Sequence, residues 1–443
     1  LRVDIPLSDD MPNTSASSPS VDRAPLASLV VGEEVAKTNA AAWQAAGITG
    51  AGVKVGIVDY FSQAIWTSAR TAGEVPAPAG TFCQDSGSAC NVFTVYGPGQ
   101  QHGTAVAEII HEMASGAQLY LATAGTTTDL QAAVNYFASQ GVKIISRSLT
   151  SEYDGPGNGT GPIANVVNSA VAQGMTWFNA AGNSAGPSPF AFNLGQYWRG
   201  SWSDPNANGW LNFPLGGEFL GVYCGWSNGL RWSDWGANAT DYDVYVYDVP
   251  NGSLIGTSWG NQGAGAPPIE GVPCPSTGWE YISIALFSPG SGTAGDVLEI
   301  MTNQGALTSW QNPYSAAGPV SDSTSAGELT VGAIDPALGT TIAIYSSQGP
   351  TNDNRMKPDL SAAACVASYT YFPSCFNGTS SAAPAAAGAA ALVIGAGLAT
   401  TPAQVKTYLL NNATVDRGAA GTDNVYGKGE LRLANVATPT PTS

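Results

Sequence analysis

Histidine is nearly absent from this chain, which carries two, His102 and His111, in 443 residues. With so few, and with six cysteines of which no two stand as Cys-x-x-Cys, the sequence fits disulfides better than a zinc centre. Charge is scarce too, at 11% of residues, and positive charge scarcer: 15 Lys and Arg stand against 32 Asp and Glu, a formal charge of -17. A surface of that sign repels phosphate backbones and anionic lipid, which excludes nucleic acid and membrane surfaces as partners. Missing as well is any long Leu-rich run. The one stretch that invites a membrane reading, Ala382 to Ala399, is broken by Pro384, Gly388, Gly395 and Gly397 and dominated by alanine, which predicts a buried helix instead.

What is present points outward from the cell. A surface so poor in charge must be rich in Ser, Thr, Asn and Gly, and the cysteines fall into local pairs: Cys83 with Cys90, Cys224 with Cys274, Cys365 with Cys375. Six cysteines allow about 15 connectivities, and proximity selects this one; an even count in local pairs fits disulfides and a secreted, extracellular protein. Sequons stand at Asn13, Asn158, Asn238, Asn251, Asn377 and Asn412. No leader is visible at Leu1, as expected of a mature secreted chain.

Along the chain, residues 1–35 read as a polar Pro/Ser-rich arm and 437–443 as a Pro/Thr linker tail. From 36 to 189, and again from 322 to 436, β-branched runs such as Val53 to Val58, Gln118 to Ala122 and Glu328 to Ile334 alternate with small-residue helices. That alternation predicts an α/β domain, a parallel sheet with helices on both faces, split into two parts. Between them, over 190–321, the texture changes. Nine of the 12 tryptophans lie there, and Asp241 to Asp248 alternates as a half-exposed antiparallel strand does, predicting an inserted all-β sandwich. Its tryptophans suit either a core and cleft wall or a glycan-binding face.

The chemistry lies in three short segments. Asn377-Gly378-Thr379-Ser380 opens the Ala-rich run, placing a serine hydroxyl at a helix N-terminus, where developing negative charge is favoured. A serine needs a base, and His102, in Gln101-His102-Gly103-Thr104, sits where a tight turn enters a small-residue helix. The base needs an orienting carboxylate, and Asp59 ends the buried run Val53 to Val58. His111 is expected to be structural.

In this order, with these local sequences, Asp59, His102 and Ser380 resemble the subtilisin-like serine peptidases. Trp177 to Asn183 is similar to that family's strand ending in Ala-Ala-Gly-Asn, and Ile144 to Leu149 to its substrate-lining strand. Tyr345 to Pro350 and Lys357 to Leu360 match further stretches. The resemblance implies a catalytic triad of Asp59, His102 and Ser380, an oxyanion hole using Asn183, and substrate contacts at Ser148, Leu149, Ala181 and Gly182. An Asn amide suits that hole because it donates a hydrogen bond without bringing charge to the ground state. The chain departs from the pattern at Tyr60-Phe61, at Thr150 where glycine is usual, at Ser381, and at Ala362-Ala363-Ala364. These departures bear on subsites rather than on the reaction.

The expectation is therefore a secreted, monomeric serine endopeptidase with a jelly-roll-like insertion, acting on proteins or peptides through an acyl-enzyme. It needs no cofactor for its chemistry; by resemblance it is open to structural calcium, with no ligands assigned, and to an inhibitory propeptide. Two alternatives stand beside it. One is a sedolisin-like acid peptidase, with Glu108 or Glu112 as base; the other is a retired peptidase frame serving adhesion or glycan binding.

Overall fold

The computed structural model describes residues 7–9, 29–151, 153–186, 195–214, 217–224, 227–236, 239–262, 265–275, 278–290, 295–318 and 320–436. Most of the expected arm, the tail, Asn13 and Asn238 lie outside them.

The β-branched runs form a parallel sheet in the order Gly80–Asp85, Gln118–Ala124, Lys54–Val58, Ile144–Arg147, Thr176–Ala180, Glu328–Ile334, Leu360–Ala363. Short strands at its edges bring it to ten among the described residues. Strand periodicity sends alternate side chains to opposite faces. Val55 and Ile57 join one core with the helices His102–Met113 and Thr379–Gly395, while Val58 and Ile145 join another with Thr127–Gln140 and Pro162–Ala172. Gly56 lets the second helix pair come close: a Cβ there would stand 2.7 Å from the Phe137 ring.

The run from Ala382 is a buried helix, as its composition predicts. Residues 379–393 have no exposed member, and a Cβ on Gly388 would meet Met113 Cβ at 2.4 Å, so two small-residue helices pack backbone to backbone. No helix among the described residues is long and apolar enough to cross a membrane.

The tryptophan-rich segment forms two antiparallel sheets. One, of five strands among the described residues, runs Leu254–Ser258, Asp241–Asp248, Trp279–Ser288, Leu220–Tyr223, Ala306–Leu307. The other, of four, runs Ile269–Gly271, Ser227–Trp232, Val297–Asn303, Tyr197–Ser201. Between them lie Trp198, Leu230, Trp232, Val244, Ile284 and Ile300. The fold is thus an α/β body interrupted by a β-sandwich. Its tryptophans divide between uses: Trp198 and Trp232 fill the core, whereas Trp259 is 66% exposed. Asp241 and Asp243 were expected on a half-exposed strand, yet both are buried, because alternation shows which face a residue takes and not what covers that face.

The three disulfides join Cys83 to Cys90, Cys224 to Cys274 and Cys365 to Cys375.

Candidate active site

Asp59 follows the strand Lys54–Val58 directly and is fully buried. Its two carboxylate oxygens lie 2.8 and 2.9 Å from His102 Nδ1, and one of them also accepts the Tyr60 amide at 2.7 Å. A carboxylate in that position favours the tautomer with the proton on Nδ1, which leaves Nε2 as the basic nitrogen. His102 opens the helix His102–Met113, and the Gly103 amide donates to the Tyr60 carbonyl at 3.0 Å. A Cβ on Gly103 would stand 2.6 Å from that oxygen and 2.9 Å from Asp59 Cβ, so the glycine after the histidine is what lets the carboxylate and the imidazole approach. Aromatic residues surround this corner: Tyr60 packs edge-on against Tyr96, and Phe61 against Trp66 and Phe93. The Tyr60-Phe61 departure is thus accommodated by an apolar cluster behind the acid.

Ser380 is the second residue of the helix Thr379–Gly395. Its hydroxyl donates to the Ser148 carbonyl at 3.1 Å, and the Ser148 hydroxyl donates back to the Ser380 carbonyl at 2.9 Å. The second bond has a cause in the sequence. Pro384, four residues on, has no N–H, so the Ser380 carbonyl lacks its helical donor and Ser148 supplies one. The imidazole of His102 meets the ring of Phe376, four residues before Ser380, edge-on at 5.3 Å, and Tyr371 stacks on Phe376 at 4.9 Å. Phe376 carries no motif in the sequence; its place beside the bridged Cys375 is the only cue.

Asn183 is nearly buried, and its Oδ1 accepts both the amide and the hydroxyl of Thr379, each at 3.0 Å. With the carbonyl end so held, the Nδ2 end faces Gly378, where a Cβ would lie 3.1 Å away; Gly378 has φ of 94°, a left-handed conformation that favours glycine. The Gly182 amide donates to Thr379 Oγ1 at 3.2 Å. Thr379 therefore ties the strand end to the serine helix, a role that its neighbour Ser380 hid in the sequence. Ala181 is buried, with its carbonyl 3.3 Å from the Ser321 hydroxyl.

Beyond Ser148 the chain runs as the short strand Leu149–Ser151. Residues 7–9 lie antiparallel to it, with Leu7 opposite Ser151, Ser8 opposite Thr150 and Asp9 opposite Leu149, so that an extended segment runs toward Ser148. The Leu149 carbonyl is held by Arg147 Nη1 at 2.6 Å.

The two glutamates on the His102 helix have partners of their own. Glu108 accepts from the Ser368 hydroxyl at 2.5 Å, from the Thr370 amide at 3.3 Å and from the Thr370 hydroxyl; burial pushes its carboxyl up to about 7 against those bonds. Glu112 accepts the Gly32 amide at 2.6 Å, and burial together with the facing Glu34 pushes its carboxyl up. His111 is held below the ordinary imidazole range by burial. Among the described residues, the one trio of acidic or sulfur ligands mutually within 4.8 Å is Cys224, Cys274 and Glu280. Its two sulfurs are bonded to each other, so it does not suit a hard cation such as calcium.

The Subtilase family model matches residues 50–208 and 224–429, which is most of the chain. The chain belongs to the subtilase family. As a subtilase it is a subtilisin-like serine peptidase, and its architecture is similar to that of the Clostridium perfringens CspB protease. That likeness has 15% identity and a TM-score of 0.60, covering 90% of this chain and 97% of the other, and it is a likeness of fold. A lanthipeptide protease is matched at 15% identity with a TM-score of 0.47, covering 90% of this chain and 92% of that one.

Proposed function

We propose that this subtilase is a secreted endopeptidase in which Ser380 attacks the scissile carbonyl, His102 Nε2 takes the hydroxyl proton and Asp59 holds the imidazole in the tautomer that allows this. Asn183 Nδ2 and the Ser380 amide, at the positive end of a buried helix, then stabilise the oxyanion of the tetrahedral intermediate. The observation that carries the proposal is the clasp of Asp59 on His102 Nδ1 at 2.8 and 2.9 Å. In the resting state the Ser380 hydroxyl donates to the Ser148 carbonyl, and rotation about Cα–Cβ turns it to the base. The acyl group passes to Ser380, the leaving amine takes the proton from His102, and water reverses the sequence.

Peptide substrates fit the strand Leu149–Ser151, since residues 7–9 already lie there in the extended antiparallel form that a substrate would take. Ser148, Leu149, Ala181 and Gly182 line the approach. The named groups supply nucleophile, base and oxyanion donors between them, so the proposal calls on no cofactor. Export agrees with three disulfides and a surface of little charge.

The test is labelling with a fluorophosphonate followed by peptide mapping. The label is expected on Ser380, and Ser380→Ala is expected to lose it and to lower kcat by roughly four orders of magnitude or more. Label on another residue, or a Ser380→Ala protein with more than about a few per cent of activity, would overturn the assignment.

A further inference from the structure

The inserted sandwich meets the peptidase body through a buried ion pair. Arg231, on the strand Ser227–Trp232, and Glu299, on Val297–Asn303, are 1% and 3% exposed. Arg231 Nε and Nη2 reach the two Glu299 oxygens at 2.6 and 3.0 Å. Burial pushes the Glu299 carboxyl up, but the Arg231 charge and the bonds from Arg231, Tyr197 and Asn352 outweigh it and hold the group ionised, below the ordinary range. The remaining arm of the guanidinium leaves the sandwich. Nη1 donates to the Gly155 carbonyl at 2.8 Å, and the guanidinium lies 4.1 Å from the centre of the Tyr153 ring.

Asn352 adds a second arm. Its Nδ2 donates to Glu299 at 2.7 Å and to the Pro156 carbonyl at 3.1 Å, while its amide donates to the Gly157 carbonyl at 2.9 Å. A Cβ on Gly157 would lie 2.5 Å from Arg231 Nη2, so this segment is shaped around the guanidinium. Outside the sandwich these bonds end on consecutive main-chain carbonyls of 155–157, a few residues after the strand Leu149–Ser151 in sequence. At the start of that strand Arg147 holds the Leu149 carbonyl at 2.6 Å. The strand Leu149–Ser151 and the segment 153–157 are thus each held by a buried guanidinium.

A buried ion pair adds little stability over an apolar pair of the same shape. What a guanidinium adds is direction, a rigid fork that fixes the atoms it bonds. We propose that the sandwich completes the substrate cleft: Arg231, with Glu299 and Asn352, is a positioning residue that holds 155–157 and so sets the line of the strand Leu149–Ser151 before it, which presents a straight edge to a bound peptide. This rests on the reading of Leu149–Ser151 as the substrate strand. Arg231 touches no reacting atom, so its loss acts on peptide binding and spares the acylation of small esters.

The experiment uses the full chain with Arg231→Met, Arg231→Lys and Asn352→Ala. Each is assayed on a tetrapeptide amide spanning the strand, on a nitrophenyl ester of a single residue, and by the rate of fluorophosphonate labelling. Arg231→Met is expected to raise KM for the tetrapeptide about tenfold, with kcat within about threefold and ester kinetics and labelling within about twofold. Arg231→Lys, which keeps the charge and loses the fork, behaves like Arg231→Met. Asn352→Ala shows the same pattern at about threefold. An unchanged tetrapeptide KM in any folded variant overturns the proposal, as does a parallel fall on ester and tetrapeptide, which marks general loosening. Should the Arg231 variants not fold, Asn352→Ala decides alone. Failure of the underlying site assignment looks different: the wild-type protein itself would not label at Ser380.

Discussion

Replacing Glu108 by Gln is expected to flatten the dependence of stability on pH while leaving the dependence of activity where it was. The carboxyl is buried against Ser368 and Thr370, and burial moves it from 4.5 to about 7. A group whose folded value is raised holds its proton more tightly in the folded state. Its contribution is complete below the unfolded value of 4.5 and disappears as pH rises through about 7. At about 1.4 kcal/mol per pH unit that is about 3 kcal/mol lost between these limits. Gln carries no proton to lose, and its amide can face the same hydroxyls, so the variant should not share the loss. Urea unfolding of both proteins at several pH values from 4.5 to 8 reads the difference directly: the gap between them should move by about 3 kcal/mol in favour of Gln as pH rises. Parallel curves would refute the reasoning. The same pair of proteins tests the glutamate-base alternative. If His102 is the base, kcat/KM rises from acid toward neutrality in both, as the imidazole must be neutral to accept the Ser380 proton; an acid optimum that vanishes with Glu108→Gln would hand the role to the glutamate.

Asn183→Ala is expected to lower kcat by about a hundred- to a thousandfold with little change in KM, because an oxyanion donor acts on the transition state; an effect confined to KM would make the residue a substrate contact instead. Deleting residues 1–9 is expected to lower KM for the tetrapeptide severalfold at constant kcat, because a tethered segment on the strand Leu149–Ser151 competes with substrate at high effective concentration. Identical kinetics in the truncated protein would show that the segment leaves the strand to substrate in solution.

The α/β frame was legible because its strands are buried on both faces and read as β-branched runs, as Lys54–Val58 does, and because the helix behind Ser380 announces itself by alanine and glycine. The sandwich was legible from alternation. Residues in a telling local setting stood out: an acid ending a strand, a histidine followed by a glycine, and a serine two residues after one. What stayed hidden depends on partners distant in sequence. Arg231 and Glu299 are 68 residues apart and meet a loop 76 residues before Arg231, and a charge bound for the interior carries no sign of that in its neighbours. The pairing of residues 7–9 with 149–151 was equally invisible, since any extended segment can add to a strand edge. Thr379 and Phe376 were missed because Ser380, the nucleophile proposed from the motif, accounts for it by itself.

The helix that presents Ser380 has no outward face over 379–393, and this orders events during synthesis. An isolated helix gains little in water, and one that is buried all round has nothing to hold it until every neighbour is in place. Its neighbours include His102–Met113 and Ile144–Arg147, made more than 200 residues earlier, with the whole sandwich emerging in between. A chain growing from its N-terminus therefore holds Asp59, His102 and Asn183 long before it has Ser380, the nucleophile proposed above, and it seats that residue through contacts such as Ser148 to Ser380, 232 residues apart. On the mechanism proposed above, a half-made or half-folded copy carries no seated serine and is expected to be inactive until the body is complete.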